Sequence, residues 1–200
     1  QIVREIDALG GYTGIATDRS SIQFRMLNLS KGPSVWSPRS QCDRMVFSLE
    51  WRKELESTPG LTFWQDSAVE LLTDDNGFVS GVKTALGVEF RAKAVIITAG
   101  TFLDGLMHMG RQMWEGGRIS EPSSHGLGAQ LERMGLRSGR MKTGTPVRLD
   151  GRTIKWELAE VQPLENTSGK FSFLPEERTG LIQRECYTVQ TNEETHRIIR

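Results

Sequence analysis

The stretch Arg91-Ala-Lys-Ala-Val-Ile-Ile-Thr-Ala-Gly-Thr-Phe-Leu-Asp-Gly105 contains the pattern that decides the fold class. Its centre, residues 94–98, is a continuous apolar run without alternation, which predicts a strand buried on both faces, as in a parallel sheet. Ala99, Gly100 and Thr101 follow directly. Ligands bind beyond the carboxyl ends of strands in open α/β sheets, and a glycine lets the backbone approach a ligand closely. A plain strand-ending turn is the alternative interpretation.

The segment before this run changes to a period of two and predicts a β-meander. Asn76-Gly77 predicts a hairpin turn, since both residues accept positive φ at low cost. A three-stranded meander crossing between parallel strands is typical of flavoproteins with two dinucleotide-binding folds, and an ordinary α/β domain with a hairpin insertion is the alternative. We predict an α/β fold, and the first of these interpretations makes it part of a Rossmann-like, FAD-binding domain. The predicted strands are 61–64, 68–72, 78–84 and 88–90.

Four helices are predicted from apolar spacing and from their start and stop signals. The second predicted helix carries Cys42 on its apolar face. The first lacks a capping residue and the last lacks an end signal, so we expect an internal piece of a longer protein. After about residue 150 turn formers dominate, which predicts a domain boundary there, with 1–150 in the cofactor domain and 151–200 starting a small, mostly β insertion. The predicted helices are 1–9, 39–56, 125–135 and the segment that begins at Asn192.

The composition limits the classes of function. Lys plus Arg and Asp plus Glu both total 25, so the net charge gives no sign of a nucleic-acid partner and any basic surface must be local. Cys42 and Cys186 lie far apart, which suits a reducing cytoplasm and forms no metal spacing. The histidines have no metal spacing either, so we expect no metal. No apolar run approaches a membrane span.

Three further segments have two interpretations each. Ser124 follows Gly116-Gly117-Arg118 and precedes a predicted helix, so it either caps that helix or binds a ligand there. The loop 28–44 aims polar side chains that either build a ligand pocket or form surface pairs. Cys186, beside Arg184, is either a reactive thiolate or a buried strand cysteine. The polar residues of the loop are Lys31, Arg39, Gln41 and Asp43.

A local basic segment follows the third predicted helix. Between residues 131 and 155 seven basic residues stand against two acidic ones. Arg140, Lys142 and Arg148 lie among Gly and Thr, which suits phosphate contacts to nucleic acid or to a dinucleotide. A solvated strand edge, which Lys and Arg protect against aggregation, is the alternative.

Taken together, these motifs resemble one family, MnmG, also called GidA. The resemblance covers essentially the whole chain, in the same order and with near-identical spacing, and LN-x-SKGP and GR-x-KTGTP-x-R are the most specific stretches. The matching stretches are REIDALGG (4–11), LNLSKGPSVW (27–36), RSQCDR (39–44), RAKAVIITAGTFLDG (91–105), GGR with PSS (116–118 and 122–124), LRSGRMKTGTPVRLD (136–150) and TNEETHRIIR (191–200).

The resemblance implies a cytoplasmic, homodimeric FAD enzyme that works with a partner GTPase, MnmE. It implies addition of an aminomethyl or carboxymethylaminomethyl group to carbon 5 of the wobble uridine in tRNA, with a folate as one-carbon donor and NADH as reductant. Val69 and Ser124 match the family's FAD contacts, and the turn Ala99–Thr101 is expected to face the same cofactor. The segment from about 150 matches an inserted domain proposed to bind nicotinamide.

The departures from the family pattern bear on the chemistry. The glycine-rich dinucleotide fingerprint and the two functional cysteines of the family are absent here, so the catalytic residues are not identified, and neither Cys42 nor Cys186 takes the role of catalyst. Two alternatives stay open: a folate- and FAD-dependent tRNA uracil methyltransferase, which is expected to lack the two specific stretches, and a non-catalytic module that binds tRNA or a partner.

Overall fold

The computed structural model describes residues 1–144, 146, 149–164, 169–175 and 180–200. They form two compact units, one made of Gln1–Thr62 with what is described of 147–200, and one made of what is described of 63–146. The predicted domains, 1–150 and 151–200, stay a prediction. The helices are α1 (Ile2–Ala8), α2 (Thr13–Ser20), α3 (Arg44–Ser57), α4 (Leu127–Arg133) and α5 (Glu193–Ile199). The strands are β1 (Ser21–Leu27), β2 (Ser37–Cys42), β3 (Ala68–Thr73), β4 (Val79–Thr84), β5 (Glu89–Arg91), β6 (Leu106–Met109), β7 (Gln112–Glu115), β8 (Glu160–Gln162) and β9 (Cys186–Thr188).

The first unit packs α1 and α2 beside the antiparallel pair β1–β2. Phe24 on β1 is buried and meets the buried Phe171 edge-to-face, with ring centroids 5.9 Å apart. Such contacts bring apolar area out of water and add a geometric preference of their own. The residues around Phe171 therefore pack onto a core that helices and strands from the start of the chain supply.

Two aspartates of this unit hold a distant segment by its backbone. Asp18, which is buried in α2, accepts hydrogen bonds from the N–H groups of Phe171 and Ser172, both at 2.8 Å. Asp7 in α1 accepts from the N–H of Phe173 at 2.7 Å. Three consecutive amides thus find charged acceptors, which are stronger than neutral ones. The sequence interpretation assigned no role to either carboxylate.

The second unit contains the predicted meander. Strands β3, β4 and β5 pair antiparallel in that order. Gly77 turns β3 into β4 with φ +83°, and Asp74 accepts from the N–H groups of Asn76 and Phe78 at 2.9 Å each. The sequence predicted this turn because its signal is local: Asn-Gly accepts the positive φ, and an aspartate before it can bond the turn amides.

Two predicted strands are not strands in the structure. Residues 61–64 and 94–98 have neither helix nor strand, and Ile96 is 85% exposed. An extended segment becomes a strand only when a neighbour takes its backbone hydrogen bonds. No segment within the described ranges pairs with either stretch, so the apolar run at 94–98 lacks the sheet that its pattern requires.

The predicted helix 39–56 begins later than expected. Residues up to Cys42 form β2, and Asp43 caps α3 by accepting from the N–H groups of Met45 and Val46 at 2.9 and 3.1 Å. Cys42 therefore lies at a strand end instead of on a helix face. Its interpretation as a helix-face residue is wrong because the pairing of β2 with β1 is non-local and outweighs helical spacing.

The predicted helix ends of α4 and α5 are confirmed. Gly135 follows α4 with φ +93° and donates to the carbonyl of Glu132 at 2.9 Å, while Leu136 donates to Leu131 at 3.1 Å. These two bonds form the Schellman arrangement that glycine favours. Asn192 caps α5, and its side-chain oxygen accepts from the N–H of Thr195 at 2.9 Å.

Candidate functional site

Ser124 joins the segment before α4 to the first residue of β3. Its hydroxyl donates to the carbonyl of Ala68 at 3.0 Å. Gly126, with φ +99°, caps α4 and lies so close to β3 that a Cβ on it would be 2.8 Å from the carbonyl oxygen of Val69. Ser124 is therefore not the helix cap, because its hydroxyl is used on the strand. Val69 and Ser124, both predicted cofactor contacts, lie at one place in the unit.

The amide of Gln130 fixes α4 along the edge of the meander. Its Oε1 accepts from the N–H of Leu71, and its Nε2 donates to the carbonyl of Leu71, both at 2.7 Å. Strand β3 is an edge strand of its sheet, and no strand of the described residues pairs with its other side. The side chain thus takes the place of a paired strand residue and holds the start of α4, with Ser124, against β3.

The predicted Ala99–Thr101 turn has backbone donors available for a ligand. The N–H of Phe102 donates to the carbonyl of Ala99 at 3.0 Å, and Gly100 has φ +56° with open space around its Cα. The hydroxyl of Thr101 donates to the carbonyl of Gly117 at 2.7 Å. Within the described residues, no acceptor lies on the N–H of Gly100 or Thr101. Adjacent free N–H groups of this kind bind phosphate or ring oxygens.

Two backbone hydrogen bonds connect this turn to Ser124. The N–H of Ser124 donates to the carbonyl of Phe102 at 2.8 Å, and the N–H of Asp104 donates to the carbonyl of Ser124 at 3.0 Å. Leu103 and Ser124 form a parallel bridge. The structure therefore brings the predicted cofactor residues onto adjacent segments, which together we call the 99–104/124 wall. Whether a cofactor touches these residues stays a prediction.

An ionic cluster lies beside the wall, and the sequence did not predict it. The Nδ1 of His125 is 2.9 Å from Oδ1 of Asp104, and its Nε2 is 2.8 Å from Oγ of Ser123 and 3.4 Å from Oε2 of Glu115. The hydrogen bond to Asp104, helped by the charge of Glu115, raises the pKa of His125 above its ordinary value. The only sequence signal was that His125 follows Ser124 directly.

In the described part of the predicted basic segment, residues 136–144 are exposed, and Arg140 contacts the wall. Arg140 donates from Nη1 to the carbonyl of Asp104 at 2.7 Å, and Lys142 is exposed. Residues 136–144 have neither helix nor strand. Arg148 lies outside the described residues. The guanidinium of Arg140 has five N–H donors, so a single bond to Asp104 orients it and leaves other donors for an anion.

The loop 28–44 uses its polar side chains within the first unit. Arg39 donates to Oε1 of the buried Gln23 at 3.3 Å, and Gln41 donates to Sγ of Cys186 at 3.3 Å. Asp43 is the helix cap described above. Lys31 is exposed, and a ligand pocket built from these four residues stays a prediction. Cys186 lies on β9 as the strand interpretation expected, although it is only partly buried.

Two features are absent from the described ranges. No helix there is long and apolar enough to cross a membrane. No group of three or more His, Cys, Asp and Glu side chains in the described part of the chain is arranged to hold a metal ion.

The mixture of helices and strands and the meander agree with an α/β fold. The solved structure of Aquifex aeolicus GidA matches 93% of this chain with a TM-score of 0.81 and 43% identity, and the match covers 32% of that chain. A second crystal form of the same protein gives the same values. The predicted fold, part of a Rossmann-like α/β domain with a β-meander, is confirmed by this match.

The comparisons also define the family. The model of the family described as glucose inhibited division protein A matches residues 1–200. The chain is 56% identical to a Phocaeicola vulgatus protein and 54% identical to a Bacteroides thetaiotaomicron protein, each over 200 residues, and each called tRNA uridine 5-carboxymethylaminomethyl modification enzyme MnmG. The chain spans 32% of the length of these relatives. It belongs to the GidA family.

Proposed function

We propose that the protein containing this chain is an FAD-dependent enzyme that modifies uridine in tRNA. The modification is addition of an aminomethyl or carboxymethylaminomethyl group to carbon 5 of the wobble uridine. The names of the Phocaeicola and Bacteroides relatives support the substrate and the product class. A folate one-carbon donor, NADH as reductant, a partner GTPase of the MnmE kind, a homodimer and a cytoplasmic location belong to the same proposal and rest on the family resemblance.

The observation that carries the flavin part is the free pair of N–H groups at Gly100 and Thr101. They lie in a turn whose left-handed residue is a glycine, so the backbone is open to a ligand on that side. Phosphate and flavin ring oxygens are acceptors that such donors suit. Thr101 and Ser124 have their hydroxyls bonded to the protein, which makes them orienting residues of the wall.

The residues present fit an FAD in chemical terms. Gly100 and Thr101 would donate to it, and Val69 and Ser124 would border it on the β3 side. When bound, the flavin supplies two-electron redox chemistry that these side chains do not have. The task of the described residues is therefore to bind and orient, since none of the predicted contacts is a nucleophile or a general acid or base.

The basic segment supports the tRNA part. Arg140 is oriented by the carbonyl of Asp104 and Lys142 extends from the same exposed stretch. Cations of this kind contact phosphates and fix the register of a nucleic acid without reading its sequence. This arrangement would hold an RNA backbone next to the wall where we propose the flavin.

The flavin part is tested on the purified protein by its visible spectrum and by FAD titration. We expect flavin bands, and we expect Gly100→Ala to raise the Kd for FAD by about tenfold, which corresponds to about 1.4 kcal/mol. Gly87→Ala is the matched control, because Gly87 also has positive φ (+86°) and open space around its Cα but lies in the turn between β4 and β5. The control also places an alanine at a positive φ and should leave the Kd unchanged.

Two results would overturn the proposal. A colourless protein that takes up no added FAD would remove the flavin, and equal effects of the two alanine substitutions would move the flavin away from the wall. The product separates the enzyme alternatives. Nucleoside mass spectrometry of treated tRNA should find the aminomethyl-type group, whereas a bare 5-methyl group would favour the uracil methyltransferase.

A further inference from the structure

His125 touches both ends of the hairpin formed by β6 and β7. Asp104 lies two residues before β6, Glu115 is the last residue of β7, and both carboxylates face the same imidazole. The hairpin ends are also joined by a backbone bond from the N–H of Gly116 to the carbonyl of Gly105, at 2.9 Å. The imidazole therefore makes a second connection between the two ends of the hairpin, beside the backbone hydrogen bond.

Asp104 is held in an unfavourable conformation by several contacts at once. Its φ is +45°, a left-handed value that costs energy for a residue other than glycine. Its N–H donates to Ser124, its carbonyl accepts from Arg140, and its carboxylate faces His125. Strained residues with this many constraints cluster at functional sites. Here the constrained residue connects the wall, the hairpin and the basic segment.

Only the doubly protonated imidazole can donate to both carboxylates. A neutral ring with its proton on Nδ1 still donates to Asp104 and accepts from the Ser123 hydroxyl, but it loses the ionic contact with Glu115. A neutral imidazole has one N–H donor, whereas the imidazolium has two. Asp104 faces Nδ1, and Glu115 and the Ser123 hydroxyl face Nε2. Arg140, the cation of the neighbouring segment, meets the carbonyl of Asp104 and leaves its carboxylate to His125. With two carboxylates on opposite nitrogens, loss of either proton breaks one of the two ionic contacts.

We propose that His125 is a positioning residue whose charged form ties Asp104 to Glu115 and thereby holds the 99–104/124 wall for flavin binding. The flavin role rests on the proposed function, whereas the clamp on the hairpin does not. Ser124 is the chain neighbour of His125 and bonds to residues on both sides of Leu103. When the imidazole becomes neutral, the hairpin base loosens and the wall loses its alignment.

The pH dependence has a definite sign. The pKa of His125 is raised from 6.5 in the folded protein, first by the hydrogen bond to Asp104. A raised pKa means that the clamp is fully present below the unfolded pKa and is lost as the pH rises through the folded one. The clamp is therefore fully formed below a pH of about 6.5 and opens as the pH rises above that value through the folded-state pKa. The side chains are about half exposed, so the effect is modest.

The test measures hydrogen exchange of residues 102–116 and the Kd for FAD in the purified protein, at about pH 6 and about pH 9, on either side of the ordinary histidine range. In the wild type we expect the exchange-competent opening and the Kd to rise about threefold at the higher pH, as for an exposed ion pair. His125→Gln should give the open values at both pH values. The control is His108→Gln, on the same hairpin, which should follow the wild type.

The outcomes separate the two proposals. If His125→Gln keeps the wild-type difference between the two pH values, another group causes it and the clamp is wrong. If exchange responds as expected and the Kd for FAD does not, the clamp stands and its role in the flavin site is wrong. If no FAD binds at either pH, the flavin role falls with the proposed function, while the exchange data still decide the clamp.

Discussion

The carboxylate of Asp18 should be a large single contribution to the stability of the first unit. It is 5% exposed and accepts two backbone N–H donors, from Phe171 and Ser172, at 2.8 Å. Asp18→Ala removes both acceptors and leaves two buried amides without partners. A hydrogen bond to a charged group contributes about 1.5–3 kcal/mol, so two give about 3–6 kcal/mol.

An opposing effect reduces this figure. The wild-type protein spends free energy on keeping a carboxylate out of water, and alanine removes that cost. We therefore expect Asp18→Ala to lower the free energy of unfolding by about 2–4 kcal/mol, the gross loss less a desolvation gain of a few kcal/mol. Asp18→Asn keeps one acceptor oxygen and turns an amide NH₂ toward the other donor, so it should cost about half as much.

The assay is urea unfolding of the purified protein, with hydrogen exchange at the amides of Phe171 and Ser172 as the local measurement. Asp43→Ala is the matched control, because Asp43 also accepts two backbone N–H donors but is only partly buried at the start of α3. Loss of a helix cap costs about 1 kcal/mol. If Asp18→Ala costs no more than Asp43→Ala, burial does not strengthen these bonds and the reasoning is refuted.

Two other substitutions test the second unit. Replacing Arg140 and Lys142 together with alanine should weaken tRNA binding and flatten its salt dependence by a slope of about 1–2, because each phosphate contact releases counterions; an unchanged slope in a filter-binding titration would put both cations on an inert face. Gln130→Ala should lower the free energy of unfolding by about 1–3 kcal/mol, since it leaves the Leu71 N–H and carbonyl without their amide partner. Urea unfolding measures the loss, and Gln112→Ala, at an exposed strand position, is the control. An equal loss in both variants would contradict the proposed strand-like pairing.

Features with local causes could be predicted from the sequence. The hairpin at Gly77 needs only a positive φ and a nearby acceptor, and the caps at Asn192 and Gly135 involve atoms within five residues. Helix α2 was not predicted from the sequence, because its burial depends on distant contacts. Its buried positions include Asp18, Thr17 and Ser20, so the apolar spacing that announces a helix is absent. Asp18 is buried with distant backbone N–H groups as its donors, and the hydroxyl of Ser20 donates to the carbonyl of Ala16 in the same helix.

The prediction of a parallel strand at 94–98 was wrong because a strand needs neighbouring strands to pair with. The sequence of that run specifies a strand with two neighbours, and no described segment supplies one. A pattern of burial predicts an element only together with the surface that buries it.

In the candidate site, too, some residues could be predicted from local sequence and others depend on distant contacts. The turn Ala99–Thr101 could be predicted as a ligand contact because a glycine follows an apolar run there. The family motifs predicted Val69 and Ser124 as cofactor contacts. Nothing in the sequence places Asp104 against His125, which is 21 residues away, or brings Arg140 to the carbonyl of Asp104.

These contacts depend on the left-handed turn at Asp104 and on the parallel bridge between Leu103 and Ser124, which form only when the chain has folded. A motif can therefore identify residues that meet a ligand, because ligand chemistry restricts residue type. The groups that hold those residues in place need only the right position in the fold, and many residue types can serve there. For this reason the positioning role of His125 had to come from the structure.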